Sequence, residues 1–323
     1  MRSIANLKPD TAPTWLDAAR HPWGALEPVV DDVHYLRTAI ANVYFLGPAA
    51  AGDRGWVLVD AGIAGSAGRI REAAESRFGE SRPAAIVLTH GHFDHVGALR
   101  DLADGWDVPI YAHSRELAYL DGTRSYPRPD TGVGGGSVTA MSFLFPRGPI
   151  DVGDRLHALP GDGSVPGVAE WRWLHTPGHT EGHCSLFRER DRVVIAGDAI
   201  ITTKQESALA VWLQRPELHG PPMYFTPDWV ASAESARSIA ALLPRVLAAG
   251  HGVPLQGEHM QRALQQLARE FEDREVPRHG RYVDGRRNPN PLLLLLGATL
   301  LGAGAAALVR RSSRRAARRP PRG

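Results

Sequence analysis

The sequence predicts an α/β protein, folded as a four-layer αββα sandwich of two mainly antiparallel sheets. The main observation behind this prediction is the order of segments: strand-like apolar runs, then helical segments, then a second series of strands and helices. The second observation is size, because 323 residues, of which 43% are hydrophobic, can bury a large core. The third is the lone Cys184, which excludes an internal disulfide, so that packing must hold the fold together.

The first half of the chain supplies one series of strands and helices. Runs rich in β-branched and aromatic residues, bounded by Gly and Pro turns, predict an antiparallel meander with strands at 29–36, 42–46 and 56–60. Ile70, Ala74 and Phe78 lie at helical spacing and indicate an amphipathic helix. The remaining predicted elements are a helix at 66–78, a strand at 84–88, a helix at 95–102 and a strand at 109–112.

Residues 121–150 differ in character from the segments around them. They contain the sequence Tyr126-Pro127-Arg128-Pro129 and three consecutive glycines at 134–136. A loop of this length inside a domain is usually functional, so we predict that it covers a site; a mobile insertion without a role is the alternative.

The second half repeats the pattern of strands and helices. Its predicted strands lie at 155–159, 171–175, 184–187, 193–196 and 246–249. A helix is predicted at 227–243, with Thr226 as its N-cap and Pro227 at its first position, and a last helix at 258–273.

A cluster of metal-binding residue types follows the predicted strand at 84–88. His90, His92, Asp94 and His95 fall within six residues. Alternate side chains of an extended segment share one side, so His90 and His92 can converge on one ion. Asp94 and His95, at the start of a helix, then point towards a second ion. The spacing therefore predicts half of each of two metal sites.

Further candidate ligands occur at similar places in the second half. His179, Asp198 and His251 each come soon after a predicted strand, and each has a glycine as its neighbour. Glycine lets the backbone turn sharply beside an ion. We therefore expect these three residues to complete the metal centre.

These motifs resemble those of the metallo-β-lactamase superfamily, most closely its glyoxalase II-like hydrolases, over residues 29–273. The resemblance implies that His90, His92 and His179 bind a first metal ion. It implies that Asp94, His95 and His251 bind a second, with Asp198 bridging the two. Zinc is the expected metal of such a His-rich centre, with iron or manganese as alternatives.

The residue at position 198 narrows the predicted activity. The zinc β-lactamases often carry Cys or another ligand pattern at the matching position, whereas this chain has Asp198. This favours hydrolysis of an ester, thioester, lactone or phosphoester in a small-molecule substrate. A hydroxide bridging the metal ions would be the nucleophile, and Asp94 would orient it or relay its proton. Lys204 and Tyr224 are candidate substrate contacts.

Two other functions are compatible with the same residues. A mononuclear-iron enzyme resembling the persulfide dioxygenases would use His90, His179 and Asp198 as a facial set of ligands. A membrane-tethered binding module with a vestigial site is the third alternative. Metal content and oxygen uptake distinguish the hydrolase from the dioxygenase.

The C-terminal residues predict attachment to a membrane. Residues 292–309 carry no charge, and 310–323 hold seven Arg and no acid, so residues 1–309 have 30 basic against 35 acidic side chains. A transmembrane helix is favoured, with an in-plane helix as the alternative and membrane lipid as the partner rather than nucleic acid. We expect no secretory signal and a cytoplasmic catalytic domain. The predicted organisation is an extension at 1–28, a domain at 29–273, a linker at 274–291, the apolar segment and the Arg-rich tail.

Overall fold

The computed structural model describes residues 24–284 and contains two β-sheets, one of seven strands and one of five. The first sheet has the strand order β1-β2-β3-β4-β5-β6-β7. Its strands are β1 (Leu26–Val30), β2 (Val33–Thr38), β3 (Ala41–Leu46), β4 (Val57–Val59), β5 (Ala85–Val87), β6 (Ile110–Ala112) and β7 (Leu156–Ala158). The second sheet has the order β12-β11-β10-β9-β8. Its strands are β8 (Trp171–His175), β9 (Cys184–Arg188), β10 (Val193–Ile195), β11 (Val246–Ala248) and β12 (Leu255–Gln256).

The helices of the described chain fall into groups that follow the two sheets in sequence. Those of the first half are α1 (Ala67–Phe78), α2 (Phe93–Val96), α3 (Leu99–Trp106), α4 (Leu117–Leu120) and α5 (Ser137–Met141). Those of the second half are α6 (Ala208–Leu213), α7 (Trp229–Ala241), α8 (Gly257–Arg269) and α9 (Phe271–Arg274).

Alternation along the strands creates three apolar layers. In β4, Leu58 belongs to the cluster that packs against α1 and α3, whereas Val57 and Val59 belong to the cluster between the two sheets. In β10, Val194 packs with α7 and α8, whereas the residues on either side of it face the first sheet. Because each sheet is apolar on both faces, helices cover both outer faces. The predicted four-layer αββα sandwich is confirmed.

The first sheet is more strongly mixed than the sequence patterns indicated. Strands β1 to β4 pair antiparallel, but β4, β5, β6 and β7 pair parallel. Helices lie between β4 and β5 and between β5 and β6 in the chain, and strands joined through such a crossover run parallel. The predicted strand at 29–36 is two strands separated by a turn, and the predicted helix at 95–102 is the pair α2 and α3.

The predicted N-cap of α7 is wrong by two residues. The side chain of Asp228 accepts a hydrogen bond from the backbone N–H of Ala231, which makes Asp228 the cap. The hydroxyl of Thr226 instead donates to the carbonyl oxygen of Pro222, 2.7 Å away. Pro227 therefore precedes the cap rather than opening the helix.

The segment 121–150 is folded onto the domain. It contains α5 and a short 3-10 turn, and Phe145 packs against the rings of Phe93 and Phe225. Within residues 24–284, no helix is both long and apolar enough to cross a membrane. The predicted apolar segment at 292–309 and the Arg-rich tail at 310–323 lie outside the described residues.

Truncation of Trp56 should have a large effect on stability. Its fully buried ring stacks on Phe78 with centroids 4.4 Å apart and meets Trp106 edge-on, while its Nε1 donates to the carbonyl of Ser81 at 3.1 Å. We expect Trp56→Ala to lower the free energy of unfolding by about 3–5 kcal/mol in urea titrations. Trp212→Ala is the matched control, because the Trp212 side chain is 67% exposed. A loss below about 1 kcal/mol for Trp56→Ala would contradict this packing.

Candidate metal centre

The His-rich segment lies where β5 ends and α2 begins. His92 has an extended backbone (φ −67°, ψ 154°) and directly precedes α2, so His90 and His92 lie before the helix. Asp94 and His95 lie in the first turn of α2. All four side chains are buried. The segment thus presents its ligand candidates from two directions, as the spacing predicts.

The structure brings all seven predicted ligand residues together. Their candidate ligand atoms form three groups, each with its atoms within 4.8 Å of one another. The groups are His90, His92 and His179; His90, His95 and Asp198; and Asp94, His95 and His251. The first and third are the two sets that the resemblance implied. The set expected for the single-iron alternative, His90, His179 and Asp198, is not one of the three groups found among residues 24–284.

Asp198 lies between the two histidine sets. Its Oδ2 is 3.4 Å from Nε2 of His179 and 3.0 Å from Nε2 of His251, and its Oδ1 is 3.5 Å from Nε2 of His95. Asp198 follows β10, whereas the three histidines come from separate segments. One carboxylate therefore touches both halves of the centre.

Several buried polar atoms in this cluster fit a bound cation. Nε2 of His90, Nε2 of His95 and Oδ1 of Asp198 have no hydrogen-bond partner within the described chain. A buried polar atom without a partner costs about 1–3 kcal/mol, and coordination to an ion removes that cost. Imidazole nitrogens and carboxylate oxygens are also the donors that divalent metals such as zinc bind. The centre binds divalent metal ions on these grounds.

The first histidine set is held in the neutral form that metal binding requires. Burial lowers the pKa of His92 to about 3. Burial and the neighbouring imidazoles also hold the pKa values of His90 and His179 well below the usual range of histidine. Since a metal ligand must be an unprotonated imidazole, these side chains need not lose a proton at neutral pH when an ion binds.

The second set is rich in negative charge. Burial alone would lower the pKa of His95, but the carboxylates of Asp198 and Asp60 outweigh burial and raise it to about 10. The same balance between burial and Asp198 raises the pKa of His251. The carboxylates therefore strongly stabilise positive charge at this set. A bound metal cation can provide that charge in place of the protons on His95 and His251.

Asp60 orients part of this set, although its role was not predicted. Its Oδ2 lies 2.8 Å from Nδ1 of His95 and accepts a hydrogen bond from the Thr89 hydroxyl, and its Oδ1 accepts from the Thr89 backbone N–H. Bonding at Nδ1 leaves Nε2 of His95 as the free ring nitrogen, directed at Asp198. The backbone carbonyl of Ile40 fixes His251 in the same way, 2.6 Å from its Nδ1.

Glu116 is a second residue that the sequence did not reveal. Its fully buried carboxylate accepts hydrogen bonds from the backbone N–H groups of Gly91 (3.1 Å) and Gly182 (3.0 Å) and from the hydroxyl groups of Thr180 and Tyr126. Gly91 lies between His90 and His92, and Gly182 lies three residues after His179. Glu116 therefore ties two ligand-bearing loops to each other.

His183 supports the centre without belonging to a ligand group. Its Nε2 accepts a hydrogen bond of 2.9 Å from the backbone N–H of Asp198, and its Nδ1 lies 3.0 Å from the carbonyl oxygen of Thr176.

Cys184, the next residue, is fully buried, and burial raises the pKa of its thiol well above the ordinary value. The thiol is therefore not a nucleophile.

A cleft opens over the first histidine set. His92 and His179 line it, together with Tyr119, Arg124, Tyr126, Arg128 and Phe225. Neither Lys204 nor Tyr224 is among the residues that line this cleft. Lys204 is half-buried, whereas Tyr224 is buried with its ring against Phe225. Their contact with substrate stays a prediction.

Replacement of Asp60 tests how His95 is oriented. Asp60 has a left-handed backbone (φ 61°), which asparagine also tolerates, so Asp60→Asn changes the side-chain chemistry alone. The amide can turn its NH₂ towards Nδ1 of His95, which favours a proton on Nε2, where an ion would bind. We expect metal affinity about 10–100-fold lower in competitive chelator titrations. Unchanged affinity would show that Asp60 does not set the His95 tautomer.

The family profile described as the metallo-beta-lactamase superfamily matches residues 36–251. The probable metallo-hydrolase YflN of Bacillus subtilis (strain 168) is 50% identical over 239 residues, which is 73% of this chain and 89% of that protein. The hydroxyacylglutathione hydrolase GloC of Haemophilus influenzae is 29% identical over 115 residues, covering 36% of this chain and 49% of that protein.

The fold is shared with solved structures. A β-lactamase domain protein from Burkholderia ambifaria superposes with a TM-score of 0.53 at 21% identity, covering 82% of this chain and 80% of that chain. At this identity the likeness concerns the fold alone.

Proposed function

Because the chain belongs to the metallo-β-lactamase superfamily and is a metallo-hydrolase, we propose that it uses two divalent metal ions, zinc in the first place, to hydrolyse an ester, thioester, lactone or related bond of a small molecule. One observation carries the proposal. The Asp198 carboxylate lies 3.4 Å from His179 of the first set and 3.0 Å from His251 of the second. A carboxylate shared in this way suits two ions held side by side.

The residues have separate tasks in this proposal. Ions bound here would polarise the bond to be cleaved and make water nucleophilic near neutral pH. His90, His92 and His179 would hold one ion, and Asp94, His95 and His251 the other. Asp94 is also the proposed proton carrier: it is buried, and its Oδ2 lies 3.6 Å from Nε2 of His251, at the second of these ion positions.

The cleft supports a small substrate. About 590 Å³ of space lies between its walls, including the open mouth. Aromatic walls and the histidines at its floor suit an acyl compound whose carbonyl reaches the metal centre. One relative is named a hydroxyacylglutathione hydrolase. Acyl-bond hydrolysis is therefore the first class to test.

Metal quantification on the purified protein tests the proposal. It is combined with activity assays on a panel of thioester, lactone and phosphodiester substrates. We expect two divalent ions per chain and hydrolysis within the panel. Removal of the ions by a chelator should abolish the activity, and added Zn²⁺ should restore it. A single iron per chain, with oxygen consumed in the presence of a persulfide, would replace the hydrolase by the dioxygenase alternative.

We also propose that the protein is attached to a membrane through its C-terminal segment, with the catalytic domain in the cytoplasm. The uncharged run at 292–309 and the seven Arg that follow it support this proposal. We expect a chain ending at Asn290 to leave the membrane fraction when cells are fractionated by centrifugation. A full-length chain with the seven Arg replaced by Gln separates insertion from attraction to anionic lipid. Truncated protein that still pellets with membranes would contradict attachment.

A further inference from the structure

The mouth of the cleft carries arginine side chains above the metal centre. His92 and His179 lie at the metal end, and Arg124, Arg128 and Tyr282 also line the cleft. Both arginines belong to the segment 121–150, which supplies none of the candidate metal ligands. Their charges bear on which substrates can enter.

Only one of these two arginines is already neutralised. Arg124 forms an ion pair with Glu181, which also accepts a hydrogen bond of 2.7 Å from the Tyr119 hydroxyl. The Arg124 guanidinium lies 5.0 Å from the centre of the Tyr119 ring. Within residues 24–284, by contrast, no carboxylate forms an ion pair with Arg128. Arg128 therefore leaves a positive charge in the cleft.

The backbone of Arg128 is held firmly although its side chain is exposed. Pro127 and Pro129 flank it, and each ring restricts the backbone to an extended course. The Tyr282 hydroxyl donates to the carbonyl oxygen of Arg128 at 2.6 Å. On the other side, Arg147 donates to the carbonyl oxygen of Tyr126 at 2.8 Å. A fixed backbone limits the conformations that the guanidinium loses on binding.

We propose that Arg128 binds a carboxylate of the substrate, so that the preferred substrate is an ester, thioester or lactone with a free carboxylate remote from the cleaved bond. This inference rests on the proposed hydrolase function. A single unpaired guanidinium matches the single charge and planar shape of a carboxylate, with which it forms two parallel hydrogen bonds. The aromatic side chains of Tyr126 and Phe225 would lie along the apolar part between the two ends.

A pair of substrates that differ only in the remote charge tests this role. The S-phenyl monothioester of glutaric acid carries the carboxylate, and its methyl ester does not. We expect the wild-type protein to favour the acid by about tenfold to a hundredfold in kcat/KM. In Arg128→Met the ratio should fall to near one, and in Arg128→Lys part of it should remain. A ratio that Arg128→Met leaves unchanged, or a wild-type preference for the methyl ester, would overturn the proposal.

The matched control is Arg245→Met. Arg245 is exposed and directly precedes β11, whereas His251 follows that strand, so Arg245 lies at the end of β11 away from the metal centre. This variant should keep the wild-type ratio. A ratio that falls equally in Arg245→Met would mean that overall charge, and not Arg128, selects the acid.

Binding measurements keep this inference separate from the hydrolase proposal. Succinate, glutarate and adipate are titrated calorimetrically into metal-loaded protein beside their monomethyl esters. We expect at least one diacid to bind about tenfold more tightly than its monoester to the wild type and to Arg245→Met, but not to Arg128→Met. This result without thioester hydrolysis would support the Arg128 site and count against the hydrolase. Equal binding of every diacid and its monoester by the wild type would overturn the Arg128 site whether or not hydrolysis occurs.

Discussion

Asp198→Asn is expected to lower kcat/KM by about a thousandfold or more and to reduce the metal content of the purified protein. The substitution keeps the shape of the side chain and removes its charge. Asp198 lies within 3.5 Å of His95, His179 and His251, so both halves of the centre lose their shared anion. A catalytic metal ion can contribute several kcal/mol of transition-state stabilisation, and each 1.4 kcal/mol is a factor of ten in rate. Substrate kinetics and elemental analysis of the same preparation check the expectation together.

Asp162→Asn is the matched control for this variant. Asp162 is exposed, and its carboxylate oxygen accepts hydrogen bonds from the backbone N–H and hydroxyl of Ser164, which an amide oxygen can also do. Activity and metal content should therefore stay at the wild-type level. Asp198→Asn protein that is folded, carries two ions and keeps wild-type kinetics would remove Asp198 from the centre.

The ligand candidates could be predicted from the sequence because local chemistry marks them. His90, His92, Asp94 and His95 are concentrated in six residues, and the others follow apolar runs beside glycines. Most strands and helices were also predicted, since period-two and helical spacing reflect which face is buried. Membership of the superfamily, predicted from these motifs, is confirmed.

Asp60 was missed because its role depends on strand direction. The apolar pattern predicts that the strand at 56–60 belongs to an antiparallel meander, but it does not show how this strand pairs with β5. In the structure β4 and β5 are parallel, so the residues that follow them, Asp60 and Thr89, reach the same edge of the sheet. The sequence did contain one indication of this role: Asp60 follows an apolar strand and precedes the helix that connects this strand to β5.

The burial of Glu116 and the position of Arg128 could not be predicted from the sequence for a different reason. A lone glutamate before a short helix resembles any surface acid, since only long-range contacts bury it. Glu116 is buried by Gly91, Tyr126, Thr180 and Gly182, residues up to 66 positions away. The backbone of Arg128 is held at the cleft by a hydrogen bond from Tyr282, which lies 154 positions further along the chain. Patterns within a short window of sequence do not contain such contacts.

Gly250→Ala should disable the centre although glycine has no ligand atom. A Cβ at position 250 would lie 2.0 Å from Oδ1 of Asp198 and 2.9 Å from Cε1 of His95. The backbone cannot retreat easily, because its N–H donates to the carbonyl of Gly197 and its carbonyl accepts from the N–H of Asn42, both at 2.8 Å. Asp198 must then move, and a shift of about 1 Å in a catalytic group can cost a hundredfold in rate.

We expect Gly250→Ala to lose about a hundredfold in kcat/KM together with part of its bound metal, as measured by kinetics and elemental analysis. Gly68→Ala is the matched control: Gly68 lies in α1, and a Cβ there meets nothing within 4 Å beyond its chain neighbours and the backbone of its own helix. Alanine should raise helix stability at that position by about 0.5–1 kcal/mol and leave metal content and activity unchanged. Loss of metal in Gly250→Ala alone, in protein with wild-type circular dichroism, identifies the clash with Asp198 as the cause. Full activity in Gly250→Ala would instead mean that the Asp198 carboxylate has room to move without disturbing the metal centre.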